Sequence, residues 1–223
     1  VPTLVVLGGV GSSGELRAQK LFEGTITYEL TPAGGTPVEM ILRSNGRKLR
    51  EDMRAPGTGD QASSYQIVDG ESGEVMIVIP AAKQYMANNF KRFRTTVGGV
   101  DSSPAQTHAM LADVAATGRK EMIVGLVCEI YVRKSKPGDE WCLATNLGRL
   151  GVFDDQLVGS NALSNAMRPF QNGAIVLKMT TSGSSGHPMR MVATSVDRTP
   201  PPASLFKVPA GFTELKNPMM PKP

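Results

Sequence analysis

The chain has 223 residues, 24 Lys and Arg against 20 Asp and Glu for a formal charge of +4, with 40% hydrophobic and 20% charged residues. That length buries a sizeable core without a metal or disulfide scaffold, and the mild basicity lacks the dense basic stripe of a nucleic-acid binder, so no nucleic-acid partner is expected. Two cysteines, Cys128 and Cys142, and two histidines, His108 and His187, are too few for a Cys/His zinc site, and no metal or cofactor is expected.

The run Val1–Val10, with Leu4, Val5, Val6 and Leu7 within it, is apolar and is followed by small residues. It is too short to span a bilayer, which takes about 20 residues. It reads as the tail of a secretory leader, or as a retained N-terminal arm or truncated anchor; both place the domain beyond the cytoplasmic membrane. Gly9-Val-Gly-Ser-Ser-Gly14 fits G-x-G-x-x-G, but a dinucleotide site needs a βαβ unit around it. Here a strand pattern starts at Phe22, so the glycines read as a small-residue segment.

Period-two alternation dominates the chain from Phe22 onward. Phe22, Ile26, Tyr28 and Leu30 share one face of a strand; Glu23, Thr25, Thr27 and Glu29 share the other. Ala33–Pro37 turns the chain into Val38–Arg43, and Asn45-Gly46 predicts a hairpin into Lys48–Arg54. Tyr65–Asp69 and Val75–Ile79 form a second hairpin around Gly70–Gly73. Met122–Val132 reads as one long strand, turned by Lys136–Asp139 into Trp141–Thr145. Ala174–Thr180 and Met189–Asp197 come next, joined by Ser182–Gly186. Short helices are expected after the cap Ser102-Ser103-Pro104, over Thr107–Val114, and at Asn161–Met167. The segment Ser204–Phe212 has three large apolar residues and reads as docked. The whole is mainly β (α+β): a curved antiparallel sheet or half-barrel with one or two short helices. The expected organisation is an arm over 1–20, a single antiparallel β domain over 21–212 and a Pro/Met-rich tail over 213–223.

Four stretches carry a family resemblance: Phe22-Glu-Gly-Thr-Ile-Thr-Tyr28, Ile123-Val-Gly-Leu-Val-Cys-Glu-Ile-Tyr131, Asn146-Leu-Gly148 and Ser204-Leu-Phe-Lys-Val-Pro-Ala-Gly-Phe212. In this order they resemble a family of uncharacterised bacterial extracytoplasmic domains of unknown function, related to the LolA/LppX-like lipoprotein-carrier fold. The resemblance implies a strongly curved sheet with helices over its concave face, a periplasmic location, and a concavity that in the carriers holds acyl chains. It supplies no catalytic residues. The apolar arm, the insert Asn88–Ala105 and the long tail depart from the plainest members.

Catalytic constellations are missing from the pattern. Asp154-Asp155 and Glu51-Asp52 lack flanking ligands and read as solvated faces or caps. Ser184 and Ser185 lack a G-x-S-x-G elbow. His108 and His187 read as surface residues. Cys128 and Cys142 fall on the two arms of one expected hairpin, compatible with a cross-strand disulfide and equally with two buried thiols. Phe90, Lys91, Arg92, Phe93 and Arg94 form a basic-aromatic segment suited to a partner or a membrane surface, or to a solvated loop with its rings turned inward. Met40, Met53, Met76, Met86, Met122, Met179, Met189 and Met191 recur on strands and suit a core or a lipid-binding concavity alike. The expected function is a non-enzymatic, membrane-associated interaction module docking on a larger membrane protein complex; the alternative is a carrier or sensor of lipids or lipoproteins with an acyl ligand on the concave face.

Overall fold

The computed structural model describes residues 20–55, 64–89, 113–150, 174–182 and 188–215. These hold twelve strands: β1 (Glu23–Pro32), β2 (Val38–Asn45), β3 (Lys48–Arg54), β4 (Ser64–Asp69), β5 (Glu74–Ile79), β6 (Gln84–Asn89), β7 (Val114–Ile123), β8 (Leu126–Arg133), β9 (Lys136–Ala144), β10 (Ile175–Thr181), β11 (Met189–Asp197) and β12 (Thr213–Glu214). They make one curved sheet in the order β12-β6-β5-β4-β3-β2-β1-β11-β10-β9-β8-β7. Two meanders, β1 to β6 and β7 to β11, are joined where β1 pairs with β11. Among the described residues the helical elements are two 3-10 turns, Pro80–Ala82 and Ala203–Phe206. The helices expected over 102–114 and 161–167 lie outside the described residues except for Asp113, a turn residue, and Val114, which opens β7.

Antiparallel partners share a face, so the register sorts the side chains. Tyr28 faces Ala193 on β11 and Met40 on β2, and Met40 faces Met53 on β3. On the other flank Met191 faces Met179, Met179 faces Trp141, and Trp141 faces Tyr131. This inner face holds the bulk of the core, with Tyr28, Met40, Trp141, Met179 and Met191 all buried. Tyr28 satisfies its buried hydroxyl by donating to the Val176 carbonyl at 3.0 Å. Burial pushes its phenol well above the usual tyrosine range.

The C-terminal segment closes part of the outer face. Phe206 is buried against Tyr65, Ile67 and Val78, flanked by Leu205, Val208 and Phe212. Burying a Phe this way contributes about 2 kcal/mol. Thr213 and Leu215 then donate to the Lys83 and Tyr85 carbonyls, and β12 adds to β6 in parallel. The expected docking of Ser204–Phe212 is therefore what the fold does.

Three local expectations change. Met122–Val132 is not one strand: Val124 and Gly125, with φ of 47° and 77°, form a two-residue turn between β7 and β8. Positive φ at both central residues is the pattern of a type I′ turn. In the β2–β3 hairpin the central residues are Gly46 and Arg47, with positive φ at Gly46 alone. Asn45 closes the strand instead, and its Oδ1 accepts from the Arg47 and Lys48 amides at 3.2 and 2.8 Å. The Lys136–Asp139 stretch lies inside β9, where the register jumps from Val132↔Glu140 to Arg133↔Lys136, a bulge after a turn at Lys134-Ser135.

Cys128 and Cys142 are disulfide-bonded, with Cα atoms 5.3 Å apart. Cys142 faces Ile130, so the bond joins diagonal rather than directly opposite positions of β8 and β9. Both are buried. Glu121 faces Cys128 and Lys178 faces Cys142, and these two charges pair at 2.7 Å along the same row. The disulfide links residues 14 apart in sequence. Replacing both cysteines with Ala should lower the unfolding free energy by about 3 kcal/mol, read as a lower denaturant midpoint at unchanged slope; an unchanged midpoint would show that the bond adds no stability.

Candidate functional site

The large hydrophobic side chains exposed on the described surface gather at one place. They are Met122, Val124 and Val127, at 69%, 40% and 50% exposure, and all three sit at the tip of the β7–β8 hairpin. Met122 and Val127 are a direct cross-strand pair, and Val124 is the first turn residue. The underside of the tip is anchored: Ile123 faces Leu126 and is buried. Val124 is a β-branched residue in the left-handed region, an outlier where Asn or Gly fits best. The tip thus combines exposed apolar surface with a strained residue that the turn does not need.

Behind the tip, β7 is one of the two edge strands of the described sheet, opposite β12. Its register shifts between Ala116 and Lys120, so Thr117-Gly118-Arg119 bulges outward. Thr117 Oγ1 donates to the Ile130 carbonyl at 2.8 Å, and Arg119 reaches Glu140 at 2.7 Å. A bulge and a charge are the devices that discourage edge-to-edge pairing. The edge is guarded, and the tip is not.

The second candidate lies on the inner face. A row runs Ile26, Leu42, Glu51, Gln66, Ile77, Met86 from β1 to β6. Leu42 is buried, while Glu51, Gln66, Ile77 and Met86 are half-buried. Glu51 accepts one hydrogen bond, from Gln66 Nε2 at 2.8 Å, and no cation pairs with it among the described residues. Burial raises its carboxyl above the usual range, with the Asp52 charge adding to the shift against the Gln66 hydrogen bond.

On the opposite face Asp52 is buried between Arg43 and Arg50. Arg50 also lies over the Tyr65 ring, 3.6 Å from its centroid, and donates to the Leu205 carbonyl at 3.3 Å. Reading Glu51-Asp52 as a solvated pair is therefore wrong. Strand alternation sends one carboxylate to each face: Asp52 into an ion cluster that holds the C-terminal segment, Glu51 into the apolar row. No group of three His, Cys, Asp or Glu side chains suited to a metal ion occurs among the described residues. No helix among them is long and apolar enough to cross a membrane.

Of the residues singled out from sequence, Cys128 and Cys142 come together. Leu4, Val5, Val6, Leu7 and Phe90, Lys91, Arg92, Phe93, Arg94 lie outside the described residues, as do Asp154, Asp155, Ser184, Ser185, His108 and His187. The tip and the separate role of Glu51 were missed. The signal for the tip was Gly125, an isolated glycine inside an apolar alternating run.

The Glu51 carboxyl titrates above its ordinary value of 4.5, so the folded state binds its proton more readily than the unfolded state does. Stability from this group is fully present at low pH and is lost as pH rises through the raised value. Glu51→Gln should therefore raise the melting temperature at pH 7, with the gain shrinking toward zero as pH falls below 4.5. A gain independent of pH would contradict the buried-carboxyl reading.

A family model for a domain of unknown function, DUF4412, matches residues 22–212. No curated protein matches the chain. Among solved structures, PNGF-II matches with a TM-score of 0.46 and 18% identity over 89% of this chain, which spans 31% of the PNGF-II chain. An uncharacterised conserved protein from Thermus thermophilus matches with TM-score 0.49 and 9% identity, covering 87% of this chain and 91% of that one. The LolA superfamily protein NE2245 from Nitrosomonas europaea matches with TM-score 0.35 and 12% identity, covering 85% and 90%. Likenesses at this level are distant and say nothing of function. The family match, in contrast, spans the sheet from Phe22 before β1 to Phe212 before β12, including all four stretches that carried the resemblance: the chain belongs to the DUF4412 family of domains of unknown function.

Proposed function

We propose that this protein is a non-enzymatic, extracytoplasmic interaction module that docks on a larger membrane-associated protein complex through the β7–β8 tip. The observation that carries this reading is that Met122, Val124 and Val127, the exposed large hydrophobics of the described surface, share one hairpin end. Clustered exposed apolar side chains mark contact sites. Val124 adds a second argument, since its left-handed backbone lowers stability where Asn would not. The disulfide supports an oxidising compartment. Leu4–Leu7 and Phe90–Arg94 belong to the same proposal as additional contacts with the partner or the membrane surface.

A second reading has the inner face carrying a lipid or lipoprotein acyl group. It is favoured by the half-buried apolar side chains Met53, Ile77 and Met86, which stand on that face between the sealed centre and the β6 edge.

Stability and docking should separate at the tip. Val124→Asn should stabilise the fold by about 1 kcal/mol by relieving the left-handed valine, yet weaken recovery of the membrane complex when the protein is purified from native membranes. Met122→Ser with Val127→Ser should leave stability within about 0.5 kcal/mol and abolish that recovery. Recovery of the unaltered protein only as a free monomer would contradict docking.

A further inference from the structure

Glu51 is set among apolar side chains, and among the described residues no cation balances its charge. Its neighbours along the inner face of β3 are Leu49 and Met53, and across the sheet it faces Leu42 and Gln66. The cations of β3, Lys48, Arg50 and Arg54, are on the other face, where they pair with Asp69, Asp52 and Glu39, and Arg43 of β2 pairs with Asp52 there too. Gln66 Nε2 supplies one hydrogen bond to Oε2, and Oε1 receives none among the described residues. Because Gln66 donates through Nε2, its carbonyl oxygen remains an acceptor on the same side. Beyond Gln66 the row continues as Ile77 and Met86 toward the β6 edge.

A half-buried carboxylate and an amide oxygen midway along an apolar row match a head with several hydrogen-bond donors and one positive charge, carried on an apolar body. An anionic head would meet Glu51 unfavourably, and a neutral alcohol would leave the charge unbalanced. We propose that Glu51 and Gln66 form the head-group site for a cationic amphiphile of the primary-ammonium type, with its alkyl chain lying over Ile77 and Met86. This rests on the second reading above, that the inner face takes an amphipathic ligand, and adds the chemistry of the head.

The test is calorimetric titration of the full chain at pH 7 with decylamine, decanol and decanoate. The unaltered protein should bind decylamine about tenfold more tightly than decanol, the size of one charge-assisted contact. Glu51→Gln should erase that preference while leaving decanol binding in place, and Glu51→Lys should move the preference to decanoate. Equal binding of amine and alcohol by the unaltered protein, or a preference that survives Glu51→Gln, would overturn the head-group assignment while leaving the inner face as a ligand surface. Failure of all three probes to bind would overturn the inner-face reading with it.

Discussion

The pairing of β1 with β11 is the contact on which everything else depends. Within each meander every strand is placed by a neighbour close in sequence, but Thr25–Pro32 must find Met189–Asp197 across most of the chain. Until it does, there are two separate sheets, and Tyr28 has no route to its buried partner Val176. Contacts of such long sequence separation form slowly because loop-closure entropy precedes any gain from burial. The start of β1 is knitted in as well: Phe22 donates to the Arg149 carbonyl, Arg149 to that of Lys20, and Ser44 Oγ to that of Phe22. Gly148 sits in this knot because a Cβ there would meet the Lys20 carbonyl oxygen at 2.3 Å.

Once that register is set, alternation distributes the remaining side chains. The inner face takes Tyr28, Met40, Met53, Trp141, Met179 and Met191, while Tyr65, Met76 and Tyr85 go to the outer face. The outer face takes the Arg43–Asp52–Arg50 cluster with the C-terminal segment over it, and farther along the Glu121–Lys178 pair in one row with the disulfide. Nearly every described polar group in these places has a folding reason. Two features do not: an exposed valine in a left-handed turn, and a half-buried carboxylate without a counter-ion among the described residues. Departures from local folding rules are where function is expected, and each of these two points to its own, separately testable role.

Much of the sheet was legible because alternation is a strong signal in strands with one buried face. Phe22–Leu30 and Met189–Asp197 were readable residue by residue, and the apolar content of Ser204–Phe212 announced its docking. The misreadings have physical causes. Ile123-Val-Gly-Leu126 keeps its apolar character through the turn, so composition hides a reversal that Val124 makes only at a cost in strain. Asn45-Gly46 resembles a I′ turn, but Asn45 is more useful as an acceptor for the Arg47 and Lys48 amides. The roles of Glu51 and Asp52 were illegible because adjacent carboxylates look alike until the register assigns them to opposite faces. The family motifs were recognisable in order, yet nothing in them reveals that the second stretch is the hairpin tip.

The central claim is that the β7–β8 tip touches a partner in the cell. The most direct measurement is photo-crosslinking from a benzophenone side chain placed at position 122 in cells, with position 190 on β11 as an exposed control. Contact through the tip predicts a defined adduct with a membrane-associated protein from position 122 and none from position 190. No adduct at position 122, or the same adducts from both positions, would contradict it.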